Sequence, residues 1–208
     1  MNAHAIADLF ADTAGKFVCA SAGHNLESIL AANGSGSVAA SKNPAQTVLN
    51  VDIGGGTTKF ALVTDGQIIE TAAISVGGRL AATDTDGKVI RIEPTAHAIA
   101  DLLGIDLHIG MVLSDKDRHG IADTLAECLM EVIQRKPRSE LTTSLLVTPD
   151  LKSDAPIDTL VFSGGVSEYV YEREERDFGD LAIFLAGAVR QKMAENAMPA
   201  PVQPATER

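Results

Sequence analysis

The sequence predicts an α/β fold in which a mixed sheet, including a three-stranded β-meander, is flanked by helices. Three observations lead to this prediction. Between residues 48 and 76, three apolar runs each end at a glycine-containing turn, which is typical of a meander. Apolar residues then recur at helical spacing after Ser114, and a strand at residues 159–162 precedes a further predicted helix. Aromatic residues make up only 4% of the chain and Trp is absent, so an aliphatic core is expected.

The segment before the meander, residues 1–46, is predicted to be part of a first lobe. Its composition predicts, in order, a helix, a short strand, a second helix and two loops, at residues 3–14, 16–20, 21–32, 33–37 and 41–45. Residues 47–196 are predicted to form a second, nucleotide-binding lobe.

The second lobe begins with the meander, whose strands are expected near residues 48–52, 58–63 and 67–76. Thr64-Asp65-Gly66 is a hairpin signal between the last two strands. Asp84-Thr85-Asp86-Gly87-Lys88 is typical of a turn between two short strands. Both turns favour antiparallel pairing of strands that are neighbours along the chain.

The remaining elements are predicted from apolar spacing and helix-end signals. Ser114 is a predicted N-cap with Asp117 at the capping-box position, and Pro137 ends that helix. The other predicted strands and helices lie at residues 89–92, 95–103, 159–162 and 178–195. Residues 197–208 are predicted to be a disordered tail, because they are rich in proline and poor in core residues.

The strongest functional signal is the turn Asp52-Ile53-Gly54-Gly55-Gly56-Thr57-Thr58. Glycines let backbone N–H groups approach an anion closely. Asp52 at the strand end can hold Mg²⁺ through water, and the hydroxyls of Thr57 and Thr58 can donate to phosphate oxygens. The motif therefore predicts a nucleotide-phosphate site on a β-hairpin.

Two better-known phosphate loops are excluded by this context. The P-loop leads into a helix, whereas apolar residues continue as a strand after Lys59. The dinucleotide fingerprint also opens a helix, and its spacing differs. The remaining alternative is a glycine turn without a ligand, but a tight hairpin turn needs fewer glycines than this one has.

Two further glycine pairs close predicted strands. Gly77 and Gly78 follow the third strand of the meander, where a strand-to-helix junction would direct a helix N-terminus toward the cleft. Ser163-Gly164-Gly165 follows the later strand, where the absence of large side chains would let a nucleoside lie against the backbone. Either pair alone is compatible with a plain turn, but the ordered set of three predicts a nucleotide cleft.

Composition restricts the partners. A net charge of −11 argues against nucleic acid and anionic membranes, so backbone dipoles and Mg²⁺ are expected to hold the phosphates. Cys19 and Cys128 match no metal pattern and are expected to be free thiols in a cytoplasmic protein. The N-terminus has no secretory-signal pattern, and no segment is long enough to span a membrane. The charged run at residues 172–177 is predicted to be solvated, with a partner-binding segment as the alternative.

The three motifs in this order resemble the actin/Hsp70/sugar-kinase ATPase superfamily. Within it, four segments resemble the reactivating factors of ethanolamine ammonia-lyase, at residues 18–29, 48–57, 76–84 and 162–168. The resemblance implies a lobe of the actin-like, ribonuclease H-like ATPase fold that binds ATP or ADP with Mg²⁺. It also implies a chaperone-like role, in which ethanolamine ammonia-lyase is the client and damaged cobalamin is released. Ethanolamine catabolism in a bacterial microcompartment is the implied setting.

The same resemblance implies roles for individual residues. Asp52 would orient Mg²⁺ and water, and the β- and γ-phosphates would be held by Gly54, Gly55, Gly56, Thr57 and Thr58. Gly77 and Gly78 would line the cleft, and the adenosine would face Ser163, Gly164 and Gly165. The superfamily's earlier D-x-G-T-T strand-loop and its strand after the last helix are not recognised here, so an internal piece of a longer protein is expected. Half of such a clamp is expected to bind nucleotide weakly. Hydrolysis is not expected of it, because in-line phosphoryl transfer needs groups from both sides of the cleft.

Other functions on the same fold stay open. An actin-like scaffold that uses nucleotide as a switch is the main alternative, and a homo-oligomer is compatible with either function. A small-molecule kinase is disfavoured because no substrate lobe or catalytic base is recognisable. An iron–sulfur activator is disfavoured because the chain lacks clustered cysteines.

Overall fold

The computed structural model describes residues 23–42, 45–195 and 198–205. The strands are β1 Thr47–Ile53, β2 Thr58–Thr64, β3 Gln67–Ile74, β4 Ala81–Thr83, β5 Val89–Ile92, β6 Thr159–Ser163 and β7 Val202–Pro204. The helices are α1 His24–Gly34, α2 Ser37–Ala40, α3 Pro94–Leu103, α4 Asp115–Ile133, α5 Glu140–Leu145, α6 Ser167–Val170 and α7 Ala182–Glu195. The predicted elements at residues 3–14 and 16–20, and Cys19, lie outside the described residues.

The main sheet has the strand order β3-β2-β1-β6-β7. Strands β1, β2 and β3 form an antiparallel meander, whereas β6 runs parallel to β1 and β7 runs parallel to β6. This is the order and direction of strands expected for a ribonuclease H-like lobe, so the predicted α/β fold with a mixed sheet is confirmed. The register places Asp52 of β1 between Lys59 of β2 and Ser163 of β6.

The two faces of the sheet are covered differently. Leu49, Val51 and Ile53 alternate along β1 and are fully buried in the main core, on the face where Phe60 also packs. On the opposite face, Ala32 of α1 packs against Ala61 of β2. The polar positions of β1 point to that second face, so the α1–α2 segment lies next to Asp52.

Local signals explain the ends of several elements. Asp65 and Gly66 have φ values of 47° and 75°, the left-handed conformations that a tight hairpin between β2 and β3 requires. The Ser114 Oγ accepts a 3.2 Å hydrogen bond from the Asp117 backbone N–H at the start of α4. Both turn and cap predictions are therefore confirmed.

The expected disordered tail is wrong at residues 202–204, which form β7. This strand pairs with β6 through the register Leu160↔Val202. The Tyr171 hydroxyl accepts a hydrogen bond from the Phe162 N–H and donates one to the Gln203 carbonyl, 2.9 Å in each case. Proline is tolerated here because β7 is an edge strand of the sheet. These contacts are tertiary, so tail composition could not reveal them.

Several helices also differ from the predictions, either in their bounds or because they were not predicted. The expected loop at residues 33–37 is mostly helical, since α1 continues to Gly34 and α2 begins at Ser37. Helices α5 and α6 were not predicted, and α7 begins at Ala182 rather than at residue 178. Within the described part of the chain, no helix has both the length and the apolar character needed to cross a membrane.

Candidate functional site

The three glycine motifs meet at one edge of the main sheet. The Gly78 N–H donates to the Gly54 carbonyl at 3.0 Å, which joins the second motif to the first. The Val166 N–H donates to the Ile53 carbonyl at 3.2 Å, which joins the third motif to the same turn. The predicted cleft residues therefore form one continuous backbone surface.

Three of the glycines are required by this close approach. A Cβ on Gly78 would lie 2.7 Å from the Val166 Cγ2 and 2.9 Å from the Ala182 Cβ. A Cβ on Gly77 would lie 2.5 Å from the Gly55 carbonyl oxygen. A Cβ on Gly164 would lie 2.5 Å from the Ile53 carbonyl oxygen, and Gly164 has a φ of +84°. By contrast, a Cβ on Gly56 or Gly165 would meet nothing within 4 Å, so these two positions face open space.

The open glycines present unused backbone donors. The N–H groups of Gly55, Gly56 and Gly165 donate to no other residue that the structure describes. Exposed backbone N–H groups without a partner in the described residues suit an anion such as a phosphate. The observation supports the predicted phosphate site without any basic patch.

Asp52 lies half-buried at the end of β1. Its Oδ1 accepts a 3.1 Å hydrogen bond from the Ser163 Oγ. Loss of solvent raises the pKa of Asp52 above its usual value of 3.8, while the Ser163 hydrogen bond and the Lys59 charge oppose that rise. A carboxylate that is poorly solvated gains from a nearby cation, so this residue fits Mg²⁺ held directly or through water.

We expect Asp52→Asn to raise the free energy of unfolding at neutral pH. Because the folded pKa is raised, the folded state favours the protonated side chain, and stability falls as pH rises from 3.8 through the folded pKa. Asparagine cannot ionise and its Oδ1 can still accept from Ser163. Urea unfolding at neutral pH should therefore show a more stable variant, with the difference shrinking below pH 3.8. A variant that is equally destabilised at both pH values would contradict the assigned desolvation.

The two threonines of the turn differ. Thr58 is fully buried, and its Oγ1 donates to the Val76 carbonyl at 2.8 Å. Its hydroxyl is already used inside the protein, so we leave Thr58 out of the proposed phosphate ligands. The Thr57 carbonyl accepts the Gly54 N–H at 3.0 Å, while its hydroxyl bonds to no described residue. Thr57 thus remains available to a ligand.

Two cavities lie on either side of the Ser163-Gly164-Gly165 turn. The first has a volume of about 460 Å³ and is lined by Gly54, Gly55, Gly78, Arg79, Gly165, Val166, Glu168, Tyr169, Arg173, Glu174, Phe178, Asp180 and Ala182. The second has a volume of about 480 Å³ and contains Asp52, Ser163 and Gly164. Glu168 and Arg173 border both cavities. Asp52 therefore borders the second cavity, and the aromatic side chain of Phe178 borders the first.

The helix expected directly after Gly77-Gly78 is absent, because strand β4 follows instead. A different helix, α7, brings its N-terminus to this place: the Leu181 N–H donates to the Gly78 carbonyl at 2.8 Å. The Asp180 Oδ1 accepts the Ala182 N–H at 2.9 Å and so satisfies the first backbone N–H of α7. The end of α7 therefore shapes the first cavity.

Several lining residues could not be predicted from the sequence. Arg173 and Glu174 belong to the charged run that was expected to be solvated; Arg173 is exposed, and both residues also line the first cavity. Within this run, the hydrogen bonds and charge of Arg176 lower the pKa of Glu174 to about 2. Ion-pair patterning alone cannot distinguish such a cavity wall from a solvated loop.

A buried polar network behind Asp52 was also missed. Asn50 is fully buried, and its Oδ1 accepts from the Ser35 Oγ at 2.8 Å and the Ser37 Oγ at 3.0 Å. The Asn50 Nδ2 donates to the Ser163 Oγ at 3.2 Å. The signal was a single Asn within the apolar run of β1. Its partners lie in segments far along the chain, so only the fold identifies them.

The described part of the chain holds no preformed metal site. Among the described residues, no group of three or more His, Cys, Asp or Glu side chains is arranged to hold a metal ion. Cys128 is a buried free thiol. Any metal at this edge of the sheet would accordingly rely on Asp52 together with ligands from a bound phosphate.

Comparison with known proteins places the chain in a family. All of residues 1–208 match the family described as Ethanolamine utilisation protein EutA. The chain belongs to the EutA family. Its membership agrees with the order of the three glycine motifs that form the site.

Two curated relatives carry the name ethanolamine ammonia-lyase reactivase EutA. The protein from Salmonella typhimurium is 34% identical over 193 residues, which cover 91% of this chain and 41% of the relative. The protein from Escherichia coli K12 is 34% identical over 194 residues, which cover 90% of this chain and 40% of the relative. The chain thus spans about two fifths of the length of the curated EutA proteins that it matches.

Solved structures show weaker likenesses. An exopolyphosphatase from Cytophaga hutchinsonii aligns with 84% of this chain and 45% of its own, at a TM-score of 0.40 and 17% identity. The ethanolamine utilization protein EutJ from Carboxydothermus hydrogenoformans aligns with 74% of this chain and 53% of its own, at a TM-score of 0.30 and 18% identity. Both TM-scores are low, so nothing about function follows from these two likenesses.

Proposed function

We propose that this chain is the nucleotide-binding lobe of an ethanolamine ammonia-lyase reactivase. The observation that carries the proposal is the meeting of three glycine motifs at Asp52 in a chain of the EutA family. The names of the curated relatives support the client, ethanolamine ammonia-lyase. The release of damaged cobalamin from that client, in the cytoplasm or a microcompartment, is part of the same proposal.

ATP or ADP would lie across the two cavities. The N–H groups of Gly55 and Gly56 and the hydroxyl of Thr57 would bind the phosphates, and Asp52 would orient Mg²⁺. Gly77 and Gly78 would form the floor of the cleft, and Ser163, Gly164 and Gly165 would face the adenosine. Mg²⁺, when bound, would offset the negative charge of the phosphates. In this proposal, the residues of the chain position the nucleotide, and the glycines keep large side chains out of the space that it occupies.

Nucleotide binding tests the site directly. Isothermal titration calorimetry of the chain with ATP should show heat that depends on MgCl₂. In Asp52→Ala, we expect affinity for Mg-ATP to fall by about tenfold or more, since a charged contact to the metal is lost. Thermal unfolding serves as the control and should show a folded variant. Unchanged Mg-ATP binding in this variant would exclude Asp52 as the metal-orienting residue.

Reactivation tests the client. The intact gene product, ATP and MgCl₂ are added to ethanolamine ammonia-lyase that carries damaged cofactor, and deamination is measured after intact adenosylcobalamin is supplied. Activity should return with the wild-type protein and not with Asp52→Ala. If the wild-type protein binds ATP but restores nothing, the client assignment is wrong. Sedimentation of filaments that depends on nucleotide would then favour the scaffold.

A further inference from the structure

Lys59 lies directly beside the glycine turn although no phosphate-loop pattern includes it. It pairs with Asp52 in the register of β1 and β2, so both side chains point to the face covered by α1. Only 15% of the Lys59 side chain is exposed. Its Nζ would lie 3.9 Å from a Cβ placed on Gly54, the first glycine of the turn. A positive charge is thus held at the base of the proposed phosphate site.

The partner of that charge comes from α1. The Lys59 Nζ lies 3.1 Å from the Glu27 Oε2, and 39% of the Glu27 side chain is exposed. The same carboxylate lies 3.8 Å from the His24 Nδ1. Glu27 also acts on Asp52, since its charge contributes to the raised pKa of that carboxyl. Three charged groups, Asp52, Lys59 and Glu27, therefore form a chain from the turn to α1.

We propose that Lys59 binds the terminal phosphate of the nucleotide and leaves Glu27 when it does so. This inference rests on the proposed function. It adds Lys59 as a phosphate-binding residue and links the phosphate site to α1 through Glu27. A phosphate at the turn carries more charge than one carboxylate and would compete for the single ammonium group of Lys59. Glu27 is half exposed, so it can return to water at little cost when Lys59 leaves it.

The exchange makes α1 sensitive to the state of the nucleotide. With a terminal phosphate present, α1 loses its ion pair with β2. Without that phosphate, Lys59 returns to Glu27 and holds the helix against the sheet. Since α1 belongs to the segment that precedes the meander, the exchange gives that segment a means of distinguishing ATP from AMP.

Two substitutions separate the steps. Lys59→Met keeps most of the length of the unbranched side chain and removes its charge. We expect its affinity for ATP to fall by about tenfold to a hundredfold, since charge-assisted hydrogen bonds are lost. Its affinity for AMP, which lacks both the β- and the γ-phosphate, should change little. Glu27→Gln should tighten ATP binding by up to about fivefold, because Lys59 no longer has a competing partner. Lys88→Met is the matched control, because that exposed lysine forms no ion pair with any described residue.

Calorimetry with ATP and AMP, and hydrogen exchange of residues 24–34 with each nucleotide, give the readouts. Faster exchange of α1 with ATP than with AMP is expected in the wild-type chain and not in Lys59→Met. The proposed exchange would be wrong if Lys59→Met lost affinity for ATP and AMP equally. It would also be wrong if Glu27→Gln bound ATP with unchanged affinity. If Lys59→Met does not fold, Glu27→Gln alone decides. If the wild-type chain binds no nucleotide, the proposed function fails instead.

Discussion

Gly164→Ala is expected to destabilise the chain by about 2–5 kcal/mol, the combined cost of a left-handed alanine and an overpacked contact. Gly164 has a φ of +84°, and a Cβ there would lie 2.5 Å from the Ile53 carbonyl and 2.8 Å from the Asp52 Oδ1. The Ile53 carbonyl has no room to retreat, since Ile53 is fully buried in the central strand β1. Denaturant unfolding measures the loss.

The neighbouring glycine is the matched control. A Cβ on Gly165 would meet nothing within 4 Å, and this glycine is not left-handed. Gly165→Ala should therefore unfold at nearly the wild-type denaturant concentration. Because its methyl would point into the first cavity, nucleotide affinity should nevertheless fall. Equal stability losses in the two variants would show that the close packing of Gly164 has been misassigned.

Asn50→Leu is expected to cost about 2–4 kcal/mol, since several buried hydroxyls lose their shared partner. Ser35, Ser37 and Ser163 all bond to the Asn50 side chain in the absence of solvent. Leucine has a similar size, so the effect isolates the polar network from cavity formation. Urea unfolding measures the cost.

A second effect of Asn50→Leu should appear in nucleotide binding. Ser163 would keep its hydrogen bond to Asp52 but lose the one that orients it from behind. Mg-ATP affinity should fall together with stability. Asn33→Ala is the control, because Asn33 is exposed and bonds only within α1. If Asn33→Ala lowered the free energy of unfolding as much as Asn50→Leu, the stability would depend on α1 and not on the polar network.

Much of the fold follows from local pattern. The meander, the hairpin turn at Asp65-Gly66 and the capped helix α4 are set by alternation, turn residues and a side-chain cap, all within a few residues of one another. Strand β7 could not be predicted, because its pairing and its bonds to Tyr171 come from segments more than thirty residues away, as with the 32-residue separation of Tyr171 and Gln203. Proline content alone suggested disorder.

The site divides in the same way. The glycine motifs can be recognised in the sequence because other residues do not fit at Gly77 and Gly164. At both positions, a neighbouring backbone segment lies too close for a Cβ. The pairing of Lys59 with Glu27 depends on how α1 lies on the sheet, so no local pattern contains it. The cavity wall at Arg173 is set by the packing of the segment between α6 and α7. The glycine turns of the site could therefore be predicted from the sequence, whereas the ion pairs and charged cavity walls around them could not.

The parallel pairing of β1 with β6 has a kinetic consequence. Asp52 and Ser163 touch although 111 residues separate them along the chain. Contacts of such high sequence separation close large loops and tend to form slowly in folding. A chain that has built only the meander would have the glycine turn but not the opposite side of the cleft. The appearance of Mg-ATP binding during refolding would thus mark completion of the whole lobe.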